Sequence, residues 1–322
     1  MATATHRLET AMTRLWQADK PLTAVGLLMI GALAVSLAGL ALDPRLITGA
    51  PAWLKPAKFA LSIAIYTLTL AWMFTYLPAW RRTRRIVGWT SAVVFVLELV
   101  VIDLQAWRGT TSHFNVATPL DTILFSVMGT AIVVQTLSSV AVAVALWRQR
   151  FADRALGWAL RLGLTLTIVG AATGGLMTRP TAAQLAEAQA TKRMVVAGAH
   201  TVGAPDGGRG LPGTNWSREH GDLRVPHFVG LHALQVLPLI ALLVRGRSDA
   251  TRVRLTMVAA SSYVSLFGIL VWQALRGQPV LGPDMTTTIV LLAWTVSTAA
   301  AAWRAAGRRP RVPSAAHVLS AH

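Results

Sequence analysis

The chain contains no cysteine. That absence excludes a disulfide framework, a thiolate metal site and a thiol nucleophile. Acids are scarce too: 13 Asp and Glu stand against 30 Lys and Arg, and charged residues make up only 13% of the sequence. A soluble domain carries about 25%. With 54% hydrophobic residues the chain is not intrinsically disordered, a state that requires low hydrophobicity. Its apolar runs are too long for a basic soluble domain, so nucleic acid is excluded as a partner despite the formal charge of +17. There is no P-loop, no dinucleotide-binding glycine fingerprint and no G-x-S-x-G elbow.

What is present is a series of long apolar runs. A bilayer core about 30 Å thick takes about 20 such residues per helix. Eight stretches qualify, near 21–42, 57–80, 86–107, 119–147, 155–177, 226–244, 255–275 and 283–303. They predict an all-α fold, a polytopic membrane helix bundle with eight transmembrane helices and the lipid bilayer as its solvent. The seventh stretch has no lysine, which excludes retinal-type Schiff-base chemistry. The first follows Arg7, Arg14 and Lys20 as a signal peptide would. It is longer than a signal-peptide core and no A-x-A site follows, so it reads as a retained span.

Charge sets the orientation. Segments 1–20, 81–85, 148–154, 245–254 and 304–322 hold 18 of the 30 bases and 4 of the 13 acids, a net +14 of the +17. An even number of spans puts all five on one side, and the positive-inside rule makes that side the cytoplasm. The expectation is therefore a cytoplasmic (inner) membrane protein, N-in and C-in. Trp80, Trp107, Trp147 and Trp303 stand at span ends as interfacial anchors. Leu8, Met12, Leu15 and Trp16 predict a short amphipathic helix on the inner surface.

The chain also echoes itself. Gln105-Ala106-Trp107-Arg108-Gly109 ends the third stretch, and Gln273-Ala274-Leu275-Arg276-Gly277 ends the seventh. Pro119, Asp121 and Thr122 follow the first, Pro283, Asp284 and Thr286 the second, and Pro56-Ala57-Lys58-Phe59 matches Pro226-His227-Phe228. These echoes predict a 4+4 parallel internal repeat. The organisation is then a cytoplasmic segment 1–20, a first four-helix half 21–154, a second half 155–303 carrying a long outer loop 178–225, and a basic tail 304–322.

Ionisable residues inside spans are costly and are functional candidates by default. Glu98 lies about 13 Å and Asp103 about 6 Å below the outer interface, and His232 about 9 Å. Gln235 follows one turn further in, whereas the inner half offers only Gln135 and Arg161. The outer loops add His113 and Asn115, His200, and a run from Arg218 to Asp222 leading into His227, so that five of the eight histidines converge on the outer face. A 48-residue connection with a Gly/Pro-rich centre reads as a lid or binding element, with residues 181–199 helical.

From this distribution the catalytic candidates are Glu98, Asp103 and His232, and the substrate-binding candidates are Lys58, Arg108, Asn115, Arg224 and Gln235. The metal-ligand candidates are His113, His227 and His232. Lys55, Lys58, Arg108, Arg224 and Arg276 at outer span ends suit an anionic headgroup or carboxylate, although interfacial snorkelling explains them equally. His227 and His232 are five residues apart, about 140° around a helix, so a metal would need ligands from different elements. Zinc, iron or copper accepts imidazole and carboxylate donors. Haem fits less well, because His232 alone lies clearly inside a span. A carboxyl such as Glu98 in an apolar layer suits proton transfer near neutrality.

The reading is a membrane-embedded enzyme with an outward-facing site, doing metal-dependent or proton-transfer/redox chemistry on a lipid-soluble or periplasmic substrate, a small molecule or a lipid. A secondary transporter and a non-catalytic sensor or scaffold are the alternatives, the transporter disfavoured by the sealed inner half. Since the chain has no cysteine, single cysteines report its topology without background. Gly208→Cys should react with a membrane-impermeant maleimide in intact cells, and Arg82→Cys only after permeabilisation. Labelling of both from one side would overturn the orientation.

Overall fold

The computed structural model describes residues 4–307; the basic tail beyond Gly307 lies outside the described residues. Eight of the described helices are long and apolar enough to cross a membrane. In chain order the helices are α1 (Ala4–Ala18), α2 (Lys20–Leu42), α3 (Leu54–Phe74), α4 (Arg81–Trp107), α5 (Pro119–Arg148), α6 (Arg154–Ala172), α7 (Gly174–Met177), α8 (Ala182–Thr191), α9 (Arg224–Leu243), α10 (Asp249–Leu275) and α11 (Met285–Gly307). Two short hairpins join β1 (Leu46–Ile47) to β2 (Ala50–Pro51) and β3 (Thr201–Val202) to β4 (Gly221–Asp222), both antiparallel.

Helix starts follow local chemistry. Asp19, Thr118, Asp153 and Ser248 cap α2, α5, α6 and α10, each side chain accepting the backbone N–H three residues on. Such caps satisfy N–H groups that the first turn leaves free. Thr181 and Gln184 form a reciprocal capping box on α8. That helix ends at Lys192 in a left-handed conformation, so residues 193–199 are not helical as expected. They run extended beside residues 114–116 instead.

The spans pack in a regular order. α2 lies on α3, α4 on α5, α6 on α9 and α10 on α11, and α5 meets α6. At one end of the bundle are residues 75–80 and the arginines of 81–85; at the other are the long loops. The largest apolar cluster sits toward the arginine-rich end. It gathers Leu22, Leu70, Phe74, Leu77, Val142, Leu146, Leu156, Leu160, Leu164 and Leu234. By helical rise Leu70 and Phe74 lie roughly 22–28 Å below Lys55, and this half of the bundle is closed by leucine. Leu15 of α1 packs against the same cluster while Trp16 stays exposed, the two-faced behaviour of an interfacial helix.

The tightest helix approach is between α6 and α9. A Cβ placed on Gly170 would lie 2.5 Å from the Gly230 backbone, and one on Gly163 would lie 2.9 Å from the Ala233 carbonyl oxygen. Small residues let membrane helices approach closely in this way. Gly170→Ala must push α6 and α9 apart, at a cost of about 1–3 kcal/mol. Gly268→Ala, where nothing lies within 4 Å, should be neutral or stabilising. Unfolding midpoints of the two variants in detergent check this; equal midpoints would contradict the packing.

Candidate functional site

Three loops knit a cap over the loop end. Val116 N–H donates to Val195 and Ala197 N–H to Phe114. β3 pairs with β4, and Gly221 of β4 lies against the end of α10 so closely that no Cβ would fit. Phe114 is buried with φ of 62°. A bulky residue in the left-handed region is strained, and such strain clusters at functional sites. It orients the His113-Phe114-Asn115 segment. Asn115 holds that turn, donating to Thr110 Oγ1 and the Thr111 carbonyl and accepting from Ala117 N–H.

Beneath the cap lies a cluster of cations and imidazoles. Lys55 and Lys58 stand one turn apart at the start of α3, a spacing that places them on one face. Lys55 Nζ is 2.9 Å from His113 Nδ1, and Lys58 Nζ donates to the Thr214 carbonyl at 2.7 Å. Arg224 donates to both carboxylate oxygens of Asp222 and, at 2.6 Å, to the carbonyl of Asn215. Asn215 is itself left-handed, φ 56°; this bend turns two successive carbonyls toward the cations. His200 Nδ1 is 2.6 Å from Asp206, whose oxygens also accept the N–H groups of His200 and Thr201.

These pairings leave an imbalance. Asp222 pairs with Arg224 and Asp206 with His200, and among the described residues neither lysine has a carboxylate within ion-pair distance; Asp206 acts on Lys55 and Asp222 on Lys58 from further off. Glu98, on α4, is the acid that acts on Lys55 from within the spans. It is 2% exposed, and neither carboxylate oxygen has a hydrogen-bond partner among the described residues.

Burial drives the His113 imidazole well below its ordinary pKa, and the neighbouring charges of Lys55, His200 and His227 push the same way. At neutral pH it is uncharged, and its Nδ1 can accept from Lys55. Burial also lowers the His200 pKa, with Asp206 partly opposing it. Asp206 is raised by burial, but its bond to His200 and its two backbone bonds outweigh this and hold it ionised.

The other sequence candidates are distributed elsewhere. Arg108 binds Asp121 at 2.8 Å and also Gln105, closing the α4–α5 corner. Asp103 lies one helix face away from Glu98, with Oδ1 unpartnered. The His232 ring lies against Phe228, centroids 4.2 Å apart and tilted by 57°, and Trp216 meets Phe228 edge-on. Gln235 reaches Thr69 and lines a separate groove of about 980 Å³ with Leu68, Trp72 and Tyr76.

The three histidines expected as metal ligands are not gathered. Among the described residues no three His, Asp or Glu groups lie close enough to hold a metal ion. His227 Nδ1 donates to the Gly170 carbonyl, His232 is on the Phe228 ring, and Lys55 Nζ occupies the side of His113 where a metal ion would bind. Lys55, expected among the span-end cations, and His200, expected among the outer histidines, join the cluster, and Asp206 and the carbonyls of Thr214 and Asn215 complete it without having been singled out. The paired lysines of Trp53-Leu54-Lys55-Pro56-Ala57-Lys58 were the available signal.

A neutral His113 makes stability depend on pH. Unfolded, the imidazole takes up a proton below its ordinary 6.5; folded, it does not. The unfolded state therefore binds more protons as pH falls, and stability present at neutral pH is lost on acidification, by up to about 1.4 kcal/mol per pH unit for each such group. His113→Asn should flatten the fall in unfolding midpoint between about pH 6.5 and 5. A profile parallel to the wild type would contradict a buried neutral imidazole. No family model, curated protein or solved structure matches this chain, and the geometry of the site itself carries the functional reading.

Proposed function

We propose that the protein is a membrane-embedded enzyme whose site opens outward and performs acid–base chemistry on a substrate bearing an anionic group. One observation carries this: a buried carboxyl without a hydrogen-bond partner, Glu98, lies beneath a lysine that touches a neutral imidazole. Lys55 and Lys58 bind the substrate anion, because among the described residues no carboxylate lies within ion-pair distance of either. Glu98 and His113 give and take the proton: neither Glu98 oxygen has a hydrogen-bond partner among the described residues, and His113 Nδ1 lies within hydrogen-bond distance of Lys55 and Ser112 Oγ. The cap of residues 195–223, seated on Lys58 and Arg224 through the Thr214 and Asn215 carbonyls, excludes bulk water once the substrate is bound. The leucine-rich half argues against a transporter, which needs a polar route across the midplane. The charge of the basic segments supports a cytoplasmic arginine-rich end, with the site on the opposite side of an inner membrane.

The architecture is read as a parallel repeat. α2, α3, α4 and α5 pack among themselves as α6, α9, α10 and α11 do. Gln105 donates to the Thr111 carbonyl and Gln273 to that of Pro279, six residues on in each case. Arg108 pairs with Asp121 as Arg276 pairs with Asp284, and Gly109 and Gly277 follow with φ of 73° and 74°. At the other end Arg84 bonds the Ala18 carbonyl beside Asp19, and Arg252 pairs with Asp153. Where the first half carries Lys55 and Glu98, the matching positions of the second are Val225 and Leu266. The second half contributes the cap instead.

Proteoliposomes incubated with a mixture of lipid-soluble and water-soluble metabolites, read by mass spectrometry, test the reading. The wild type should convert an anionic compound. Glu98→Gln should slow the conversion by about 100-fold or more, and Lys55→Gln should chiefly raise KM. Accumulation of an unchanged compound inside the vesicles would favour transport, and conversion indifferent to Glu98 would reject the proposed role.

A further inference from the structure

A second charged cavity lies at the opposite end of the molecule, where α1 turns into α2 against the start of α4. It measures about 630 Å³ and is lined by Lys20, Arg81, Arg84, Arg85 and Trp89, with Asp19 the one acid. Arg84 donates to the Ala18 carbonyl while its Nε, buried, has no partner. Lys20, Arg81 and Arg85 have neither a hydrogen bond nor an ion pair among the described residues. Lys20, Arg81 and Arg85 are exposed to solvent, and four cations with a single carboxylate give the cavity an excess of positive charge that suits an anion.

The surroundings say which anion. Trp89 lines the cavity and is also exposed, and Ile86 and Val93 continue the same exposed stripe down α4. A ligand with a charged head in the cavity would therefore have its apolar part on the lipid-facing side of α4. The amphipathic α1 lies alongside. Basic pockets between spans and juxtamembrane arginines bind acidic headgroups through the same physics.

We propose that this elbow is a binding site for an anionic phospholipid, its phosphate held by Lys20, Arg81 and Arg85 and its chains lying along Ile86, Trp89 and Val93. Occupancy fixes the α1–α2 elbow against α4. The site is remote from the Lys55–Glu98 cluster and stands independently of the catalytic reading.

The test is the unfolding midpoint of the purified full chain in detergent, titrated with phosphatidylglycerol, phosphatidylcholine or inorganic phosphate. Phosphatidylglycerol should raise the midpoint saturably, and the other two should not. Arg81→Gln with Arg85→Gln should weaken its apparent affinity roughly 30-fold. Arg81→Lys with Arg85→Lys should keep most of it, which separates loss of charge from loss of fold. An equal response to phosphatidylcholine would reduce the site to ordinary annular lipid, and an equal response to phosphate would make it a free-anion site. Either result overturns the proposal, as does an unchanged affinity in the glutamine variant.

Discussion

The cost of carrying charge into hydrocarbon organises this molecule. A single Lys, Arg or Asp at the centre of a span costs about 2.5–3.5 kcal/mol on insertion scales, so a chain with eight spans keeps its ions at the two ends or compensates them. Here the compensation is incomplete. Asp121, Asp153 and Asp284 are paired with arginines from neighbouring helices, and these pairs tie helix ends together. Lys55, Lys58 and Glu98 lack such ion pairs among the described residues: the two lysines sit under the loops at the start of α3, and Glu98 is buried with neither carboxylate oxygen hydrogen-bonded. A structural role would be served more cheaply by apolar residues.

The eight spans were legible because hydropathy over about 20 residues reports the bilayer directly. Their bounds agree to within six residues, the second span ending at Phe74 rather than near residue 80, and local caps at Asp19, Thr118, Asp153 and Ser248 mark four of the starts. The helical stretch expected over 181–199 stops at Lys192, since the following residues find backbone partners in the 114–116 segment, a contact between distant parts of the chain that periodicity cannot register. The site was partly legible for the same reason. Glu98, Lys58, His113 and Arg224 stand out as ionisable groups in or beside spans. Their partners do not: Asp206 under His200, and the left-handed Asn215 over Arg224, depend on how a long Gly/Pro-rich loop folds back. The metal trio failed on a similar point, because residue type suggested ligands while only geometry reveals that Lys55 sits on His113.

The two ends of the bundle then divide the work. Leucine packing around Leu70, Phe74, Leu160 and Leu164 closes one half, and strained turns at Phe114 and Asn215 position polar groups over the other. The α6–α9 contact at Gly170 and Gly230 belongs to both, since the Gly170 carbonyl accepts from His227 while its Cα sets the helix spacing. A change there would reach the site through packing.

Hydroxyl-radical footprinting of the full chain in lipid nanodiscs tests the central claim most directly, that water enters from the loop end and stops above the leucine-rich half. His113, His200 and Trp216 should be oxidised, with Met285, 75% exposed at the loop end, as the reactive reference. Met73 and Phe74, both fully buried, should stay unmodified. Oxidation of Met73 at a rate near that of Met285 would mean that water crosses the core, and would contradict the account.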